Sequence, residues 1–473
     1  MRFRFLKSLA AIRVFVALCA LLLFSSLAAA VDLYYSFIDG TTGGVAKLVV
    51  DDRDGRVIEH VVLFRDEQCS TPYKLAVSES GQRVIVTNVV DAAGNIIVVD
   101  QSVSPPRVVR LDLNAEPDEV RTFGERAIVG GDKGVVCVFD LAECKILSRW
   151  SARQALKPSG HRVEDILILS ADRDGSAQVL MTFQKDSSSG KHKGNRLVVA
   201  DICKAGTLMI AHDLQLPRDR PELHYDAAKN LAEQGPGPEV VLASPATNTI
   251  FLTLDLYGAV ALADLDAVLQ GRWQNYVTLP VAVDESWGNS FPDRMVKFAA
   301  SDREFVLVAN AGPEGGAALV DLSRRTVIAR TPVRHGLDTL THVQVLGKVV
   351  GTPSGKLKRR GETERDKTWQ PGSELYVFEV GGSGSSDADA IEGHFSVRAI
   401  PMGMRAFRCH AVDPTRNGLL LIAAGERDPD TIIVFDLAKE AEVLRIPAFG
   451  AVQRSQLRAS VTSLTEDSQA AHR

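Results

Sequence analysis

Short apolar runs that end in an acidic residue, followed by a turn and a further apolar run, recur along the chain. They read Val49-Val50-Asp51, Val98-Val99-Asp100, Val138-Phe139-Asp140, Val199-Ala200-Asp201, Leu262-Ala263-Asp264, Leu319-Val320-Asp321, Val377-Phe378-Glu379 and Val434-Phe435-Asp436. The acids stand 49, 40, 61, 63, 57, 58 and 57 residues apart. That period is too long for a small solenoid turn and suits a four-stranded unit with variable loops. Each acid closes a strand and opens a bend, where a carboxylate accepts hydrogen bonds from backbone N–H groups one or two residues on. These eight acids are read as structural.

The second copy shows the whole unit: strands at Tyr73–Ser78, Arg83–Asn88, Asn95–Asp100 and Val108–Leu113, with Ser80-Gly81 as a turn. Comparable quartets fall around 118–150, 238–281, 293–334 and 405–447. β-branched residues, period-2 alternation and Gly/Asp/Asn punctuation all call for strands. Helical spacing is confined to Glu222–Gln234, with Leu223, Ala227, Ala228 and Leu231 on one face. A lone quartet cannot bury both its faces, whereas a radial array closes on itself. The fold class is therefore an all-β propeller of seven to eight four-stranded blades, eight by repeat count, with 118–150 the shortest copy. The first copy, opening at Asp32-Leu33-Tyr34-Tyr35, lacks an innermost strand. A C-terminal segment around Gln456–Leu464 is expected to supply it and seal the ring.

Residues 1–30 stand outside this pattern. Arg2, Arg4, Lys7 and Arg13 precede an apolar stretch from Val14 to Leu27 that ends in Ala28-Ala29-Ala30, the order of a secretory signal cleaved near Ala30. The remaining chain divides into one propeller domain over 31–464 and a disordered polar tail over 465–473, in a secreted, periplasmic or cell-surface protein. At 45% hydrophobic and 24% charged residues it has ordinary globular composition, and no apolar run of spanning length follows residue 30. The net charge of −5 becomes −9 without the leader, which speaks against a nucleic-acid partner that binds through a basic surface. Cys69, Cys137, Cys144, Cys203 and Cys409 remain, an odd number without a staple-like spacing. Cys137 and Cys144 stand either facing each other across a hairpin or as buried free thiols.

Three insertions interrupt the strands: Ser187–Lys193, Gly351–Gly372 and Gly381–Gly393. The second carries a net charge of +3 with its acids interleaved, which reads as a solvated loop. Trp287 and Trp369 lie on loops and are the candidates for anchoring a protein or glycan partner, since tryptophan is enriched at interface hot spots.

The segment Thr71-Pro72-Tyr73-Lys74-Leu75-Ala76-Val77-Ser78-Glu79-Ser80-Gly81-Gln82-Arg83-Val84-Ile85-Val86-Thr87-Asn88 resembles the YVTN-type propeller repeat, and Met404–Leu437 is similar to it. The first two copies, joined by Thr41-Thr42-Gly43-Gly44-Val45, also resemble the opening of lactonase-like propellers. That resemblance implies lactone chemistry by charged His, Arg and Glu residues at the propeller centre. It marks Arg405, in Gly403-Met404-Arg405-Ala406-Phe407, as similar to the arginine before an inner strand. The chain has no counterpart of that group's His-rich segment.

Searched directly for chemistry, the chain holds no Gly-x-Ser-x-Gly, His-Glu-x-x-His or phosphate loop. Asp52-Arg53-Asp54-Gly55 and Asp172-Arg173-Asp174-Gly175 lack the ligand set of a calcium loop and match hairpin turns. No Cys-x-x-Cys-His exists for covalent haem. No metal or other cofactor is expected. A site belongs where the loops entering the innermost strands converge on the channel. The polar residues there are Tyr73, Lys74, Glu119, Arg121, Glu164, Asp165, Asp293 and Arg294 for ligand binding, with Arg405, His342 and His410 as catalytic candidates. The function expected is an exported, non-enzymatic binding scaffold for a protein, glycan or small-molecule partner; the alternative is a lactonase-like hydrolase acting at the channel.

Overall fold

The computed structural model describes residues 30–89, 94–152, 161–186, 193–217, 236–281, 292–300, 303–311, 316–333, 336–353, 356–357, 368–369, 372–380, 395–403, 408–425 and 429–459. The expected helix at 222–234, the loops 187–192 and 381–393 and the tail from 465 lie outside them.

The described residues form eight four-stranded antiparallel sheets, numbered here as blades 1 to 8 in chain order. The innermost strands of blades 2 to 8 are Pro72–Val77, Pro117–Phe123, His161–Ala171, Pro238–Ser244, Pro292–Ala300, Leu337–Val343 and Arg408–Pro414. Each lies against the innermost strand of the next blade, all the way round. The protein is an eight-bladed β-propeller, and the shortest copy is a full blade running from Pro117 to Ser151. In blade 1 the innermost strand is Ala451–Ala459, paired antiparallel with Ala30–Asp39, so the ring is sealed between its two ends as expected. The sealing strand begins five residues earlier than Gln456. Its polar Gln453, Arg454, Ser455 and Gln456 carry no apolar alternation, which is why the sequence does not mark its start.

Blades stack through strands buried on both faces. In Leu419–Gly425 every residue is buried. Leu420, Ile422 and Ala424 pack with Val350 and Val377 of blade 7, while Leu419, Leu421 and Ala423 pack with Leu33, Tyr35 and Phe37 of blade 1. Period-2 geometry sends alternate side chains to opposite neighbours, and both neighbours are apolar. Such strands read as continuous apolar runs rather than as alternation.

Five of the repeated acids end the third strands of their blades and organise the turns that follow. Asp51 accepts the Arg53 backbone N–H at 3.0 Å, Asp100 that of Ser102 at 3.1 Å and Asp140 that of Glu143 at 2.8 Å. Asp321 and Asp436 do the same for Arg324 and Lys439, both at 3.0 Å. The two Asp-x-Asp-Gly strings are turns as well: Asp54 accepts the Arg56 N–H and Asp174 that of Ser176. The described cysteines Cys69, Cys137, Cys144 and Cys203 are free thiols. Cys137 stands opposite Arg149 rather than Cys144. A one-turn helix, α1 (Leu265–Leu269), links the third and fourth strands of blade 5; the sequence pattern does not announce it. In the basic insertion, Lys356–Leu357 pairs with Thr368–Trp369.

Leu33 is buried between blades 1 and 8, whereas Val103 is 49% exposed on a turn. Leu33→Ala is expected to cost about 2–5 kcal/mol and Val103→Ala less than about 0.5 kcal/mol, measured by urea denaturation. Hydrogen bonding from Arg53 holds the Asp51 carboxyl at about 2, against its burial. A carboxyl held below its unfolded value adds stability that is present above pH ~4 and disappears as the pH falls toward ~2. Asp51→Asn is therefore expected to cost about 1–2 kcal/mol at pH 7 and little near pH 2. An equal loss at both values would contradict this account of the turn.

Candidate functional site

Each blade's first two strands slip register where the chain enters the innermost strand. The slips fall between Pro72 and Leu75, Pro117 and Glu119, Val163 and Asp165, Pro238 and Val241, Pro292 and Arg294, Leu337 and Thr339, and Cys409 and Ala411. In blade 1 the slip lies opposite Ser36 and Phe37 and leaves Gln453 unpaired. A bulge of this kind takes a residue out of the ladder and re-aims it. The residues set aside are Tyr73 and Lys74, Asp118, Glu164, Glu239 and Val240, Asp293, Asp338, His410 and Gln453, so every blade contributes at least one polar residue. Proline opens four of these strands, at a position where no ladder N–H is required.

In blades 2, 4 and 5 a backbone N–H at the bulge is satisfied by a buried threonine on the second strand. Thr87 accepts the Lys74 N–H at 2.8 Å, Thr182 that of Asp165 at 3.1 Å and Thr253 that of Val240 at 2.9 Å. In blade 7, Thr352 bonds the Thr339 hydroxyl at 2.6 Å. In blade 3 the matching position is Gly130, where a Cβ would stand 2.5 Å from Val163 of blade 4; close approach of the neighbouring blade excludes a side chain there.

Beneath this ring of bulges the channel opens into a cavity of about 360 Å³, toward the small end of the ~300–1,000 Å³ range of ligand sites. Its walls are charged and cross-linked. Lys74 Nζ lies 3.0 Å from Glu119 Oε2. Arg121 reaches Glu119 and donates to Asp165 Oδ1 at 2.8 Å. Asp165 also accepts the Ile166 and Val241 N–H groups at 2.9 and 3.0 Å. Arg162 pairs with Asp118 and lies 3.5 Å from Glu164, and Arg294 pairs with Asp293 at 2.8 Å. The Tyr73 ring lies within 5.3 Å of Lys74 Nζ and 5.4 Å of the Arg454 guanidinium, at cation–π range.

Burial dominates the electrostatics of these carboxyl groups. It would raise Glu119, but Arg121 and Lys74 beside it hold the group below its ordinary value. For Asp165 burial, helped by Glu119, outweighs Arg121 and moves the group up. Glu239 is pushed well up by burial, then by Asp293, Asp255 and Glu164, and it shares a hydrogen bond with Asp293. Asp413 of blade 8, which accepts the Ser455 hydroxyl at 2.5 Å, is raised by burial to about 6. The cavity thus combines fixed ion pairs, hydroxyls from Ser455 and Thr339, and a buried carboxyl, Glu239, that its surroundings push well up. Among the described residues no group of three or more His, Cys, Asp or Glu is arranged to hold a metal.

Of the residues picked from sequence, Tyr73, Lys74, Glu119, Arg121, Glu164, Asp165 and Arg294 line this cavity, and Asp293 pairs with Arg294 without lining it. His342 does not line it. It lies beyond Thr339 on the same strand, its ring 5.6 Å from that of Phe298 in blade 6, and burial lowers its pKa. The His410 backbone takes the bulge position of blade 8. Arg405 and Trp287 lie outside the described residues, and Trp369 sits in the two-residue pairing of the insertion. The sequence reading misses Asp118, Arg162, Glu239, Thr339, Arg454 and Ser455, which also line the cavity. Asp118 and Glu239 share with Asp293 a legible signal, an acid directly after the strand-opening proline.

No protein-family model and no curated relative matches the chain. Solved structures that resemble it include NirN, a dihydro-haem d1 dehydrogenase in complex with DHE (12% identity, TM-score 0.59, 91% of this chain and 75% of that one). AztD of Citrobacter koseri is another (12%, TM-score 0.51, 91% and 98%). A third is the Pseudomonas aeruginosa periplasmic gluconolactonase PpgL (13%, TM-score 0.48, 92% and 100%). At these identities the likeness is one of fold, and a propeller frame is compatible with many activities.

Thr182 is fully buried. Thr182→Val keeps its shape and leaves the Asp165 N–H without its acceptor, at an expected cost of about 1–3 kcal/mol in denaturation midpoint experiments. No loss would show that the threonine does not support the bulge.

Proposed function

We propose that the protein is an exported binding propeller that holds a small polar molecule at the mouth of its central channel. The observation that supports this reading best is the convergence of charged side chains from blades 1 to 6 on one cavity of about 360 Å³. The bulges and the threonines beneath them hold these side chains rigidly, and preorganisation of this kind favours binding. Export rests on the basic, apolar, small-residue order of residues 1–30.

A second reading, a lactonase-like hydrolase, is favoured by one observation: His410 occupies in blade 8 the bulge position that supplies wall residues in other blades. The two readings part in one experiment, in which a panel of polar metabolites and lactones is tested by thermal shift and for turnover. The binding reading expects a ligand that raises the melting temperature without being consumed, with affinity about tenfold weaker in Arg454→Met. Turnover of a lactone that is lost in His410→Ala would replace it with the second reading.

A further inference from the structure

The cations of the cavity already have partners. Lys74 faces Glu119, Arg121 bridges Glu119 and Asp165, Arg162 is held by Asp118 and Arg294 by Asp293, while Arg454 donates to the Gln453 carbonyl and lies over the Tyr73 ring. Glu119, Asp118 and Asp165 are themselves almost fully buried. A ligand anion that engages Arg121 or Lys74 has to displace one of these carboxylates and leave it buried without its cation, an unfavourable exchange. A ligand ammonium meets the converse obstacle, because Arg121 and Arg162 hold the same carboxylates.

A hydroxyl group meets neither obstacle. It carries one donor and two acceptor lone pairs. A paired carboxylate keeps spare lone pairs and a paired guanidinium keeps spare N–H groups, so hydroxyls can bond to ion pairs without breaking them. The Ser455 and Thr339 hydroxyls add further groups of the same kind to the wall. Given the binding role proposed above, we infer that the ligand of this cavity is an uncharged polyhydroxylated molecule of sugar size, read by hydroxyl contacts to its preformed ion pairs.

The test compares three sets of probes against the full-length processed protein by isothermal titration calorimetry. They are neutral sugars (glucose, galactose, mannose and cellobiose), their acids (gluconate and galactonate) and an amino sugar (glucosamine). At least one neutral sugar is expected to bind more tightly than every charged probe. Its Kd should change less than about twofold between ~20 and ~300 mM salt, because no net charge is exchanged. Tighter binding of an acid or of the amino sugar overturns the inference and leaves the binding role standing. Binding by none of the three sets overturns the inference as well; if the metabolite panel is also silent, the binding role falls with it.

Discussion

The ladder between Ala451–Ala459 and Ala30–Asp39 is the interaction on which the rest of the molecule depends. It turns eight sheets into a circle, so that no blade is left with a bare face. The sealing strand is fastened on both sides. Ser455 donates to Asp413 of blade 8, Gln456 accepts the Val77 N–H of blade 2 at 2.9 Å, and Arg458 donates to the Val77 and Glu79 carbonyls. The same strand brings Arg454 and Ser455 to the cavity wall, so the site is complete only in the closed ring.

The frame is highly legible in the chain because its determinants are local. An acid at a strand end organises its own turn, and a strand buried on both faces is apolar throughout. The second blade is found at Pro72–Val77, Arg83–Asn88, Asn95–Asp100 and Arg107–Asp112, within one residue of its reading from sequence. The site is legible in part, since polar residues just inside the innermost strands do gather. What the pattern lacks is parity. On Leu337–Val343, Thr341 bonds the Val412 carbonyl of blade 8 while His342 meets Phe298 of blade 6. A residue near the channel in sequence is thus turned to a neighbouring blade by one step of alternation. Arg454 and Ser455 escape notice for a different reason, because the strand that theirs pairs with, Ala30–Asp39, lies at the opposite end of the chain.

Bulge and threonine together give a physical meaning to one piece of the repeat. Val86-Thr87-Asn88 reads as a signature of fold, yet Thr87 accepts the N–H that the bulge at Lys74 sets free. Asn88 works alongside it: its side-chain oxygen accepts the Thr71 N–H at 3.1 Å and its amide donates to the Gln68 carbonyl at 3.0 Å. The motif residues thereby fix how the chain turns into the channel, and blades that keep only the threonine, such as those with Thr182 and Thr253, keep the bulge support. Frame and site are coupled through these few hydroxyls, while the identity of each wall residue is free to vary.

The circular seam has a consequence for how the polypeptide is made. Synthesis proceeds from the amino terminus, so Ala30–Asp39 and its two outer neighbours are available long before Ala451–Ala459 exists. Throughout that interval the inner edge of the earliest sheet is an unsatisfied row of backbone donors and acceptors, able to recruit any extended segment within reach. A nascent chain of this design depends on that edge being shielded or left unfolded, with the circle completed only after the last residues arrive.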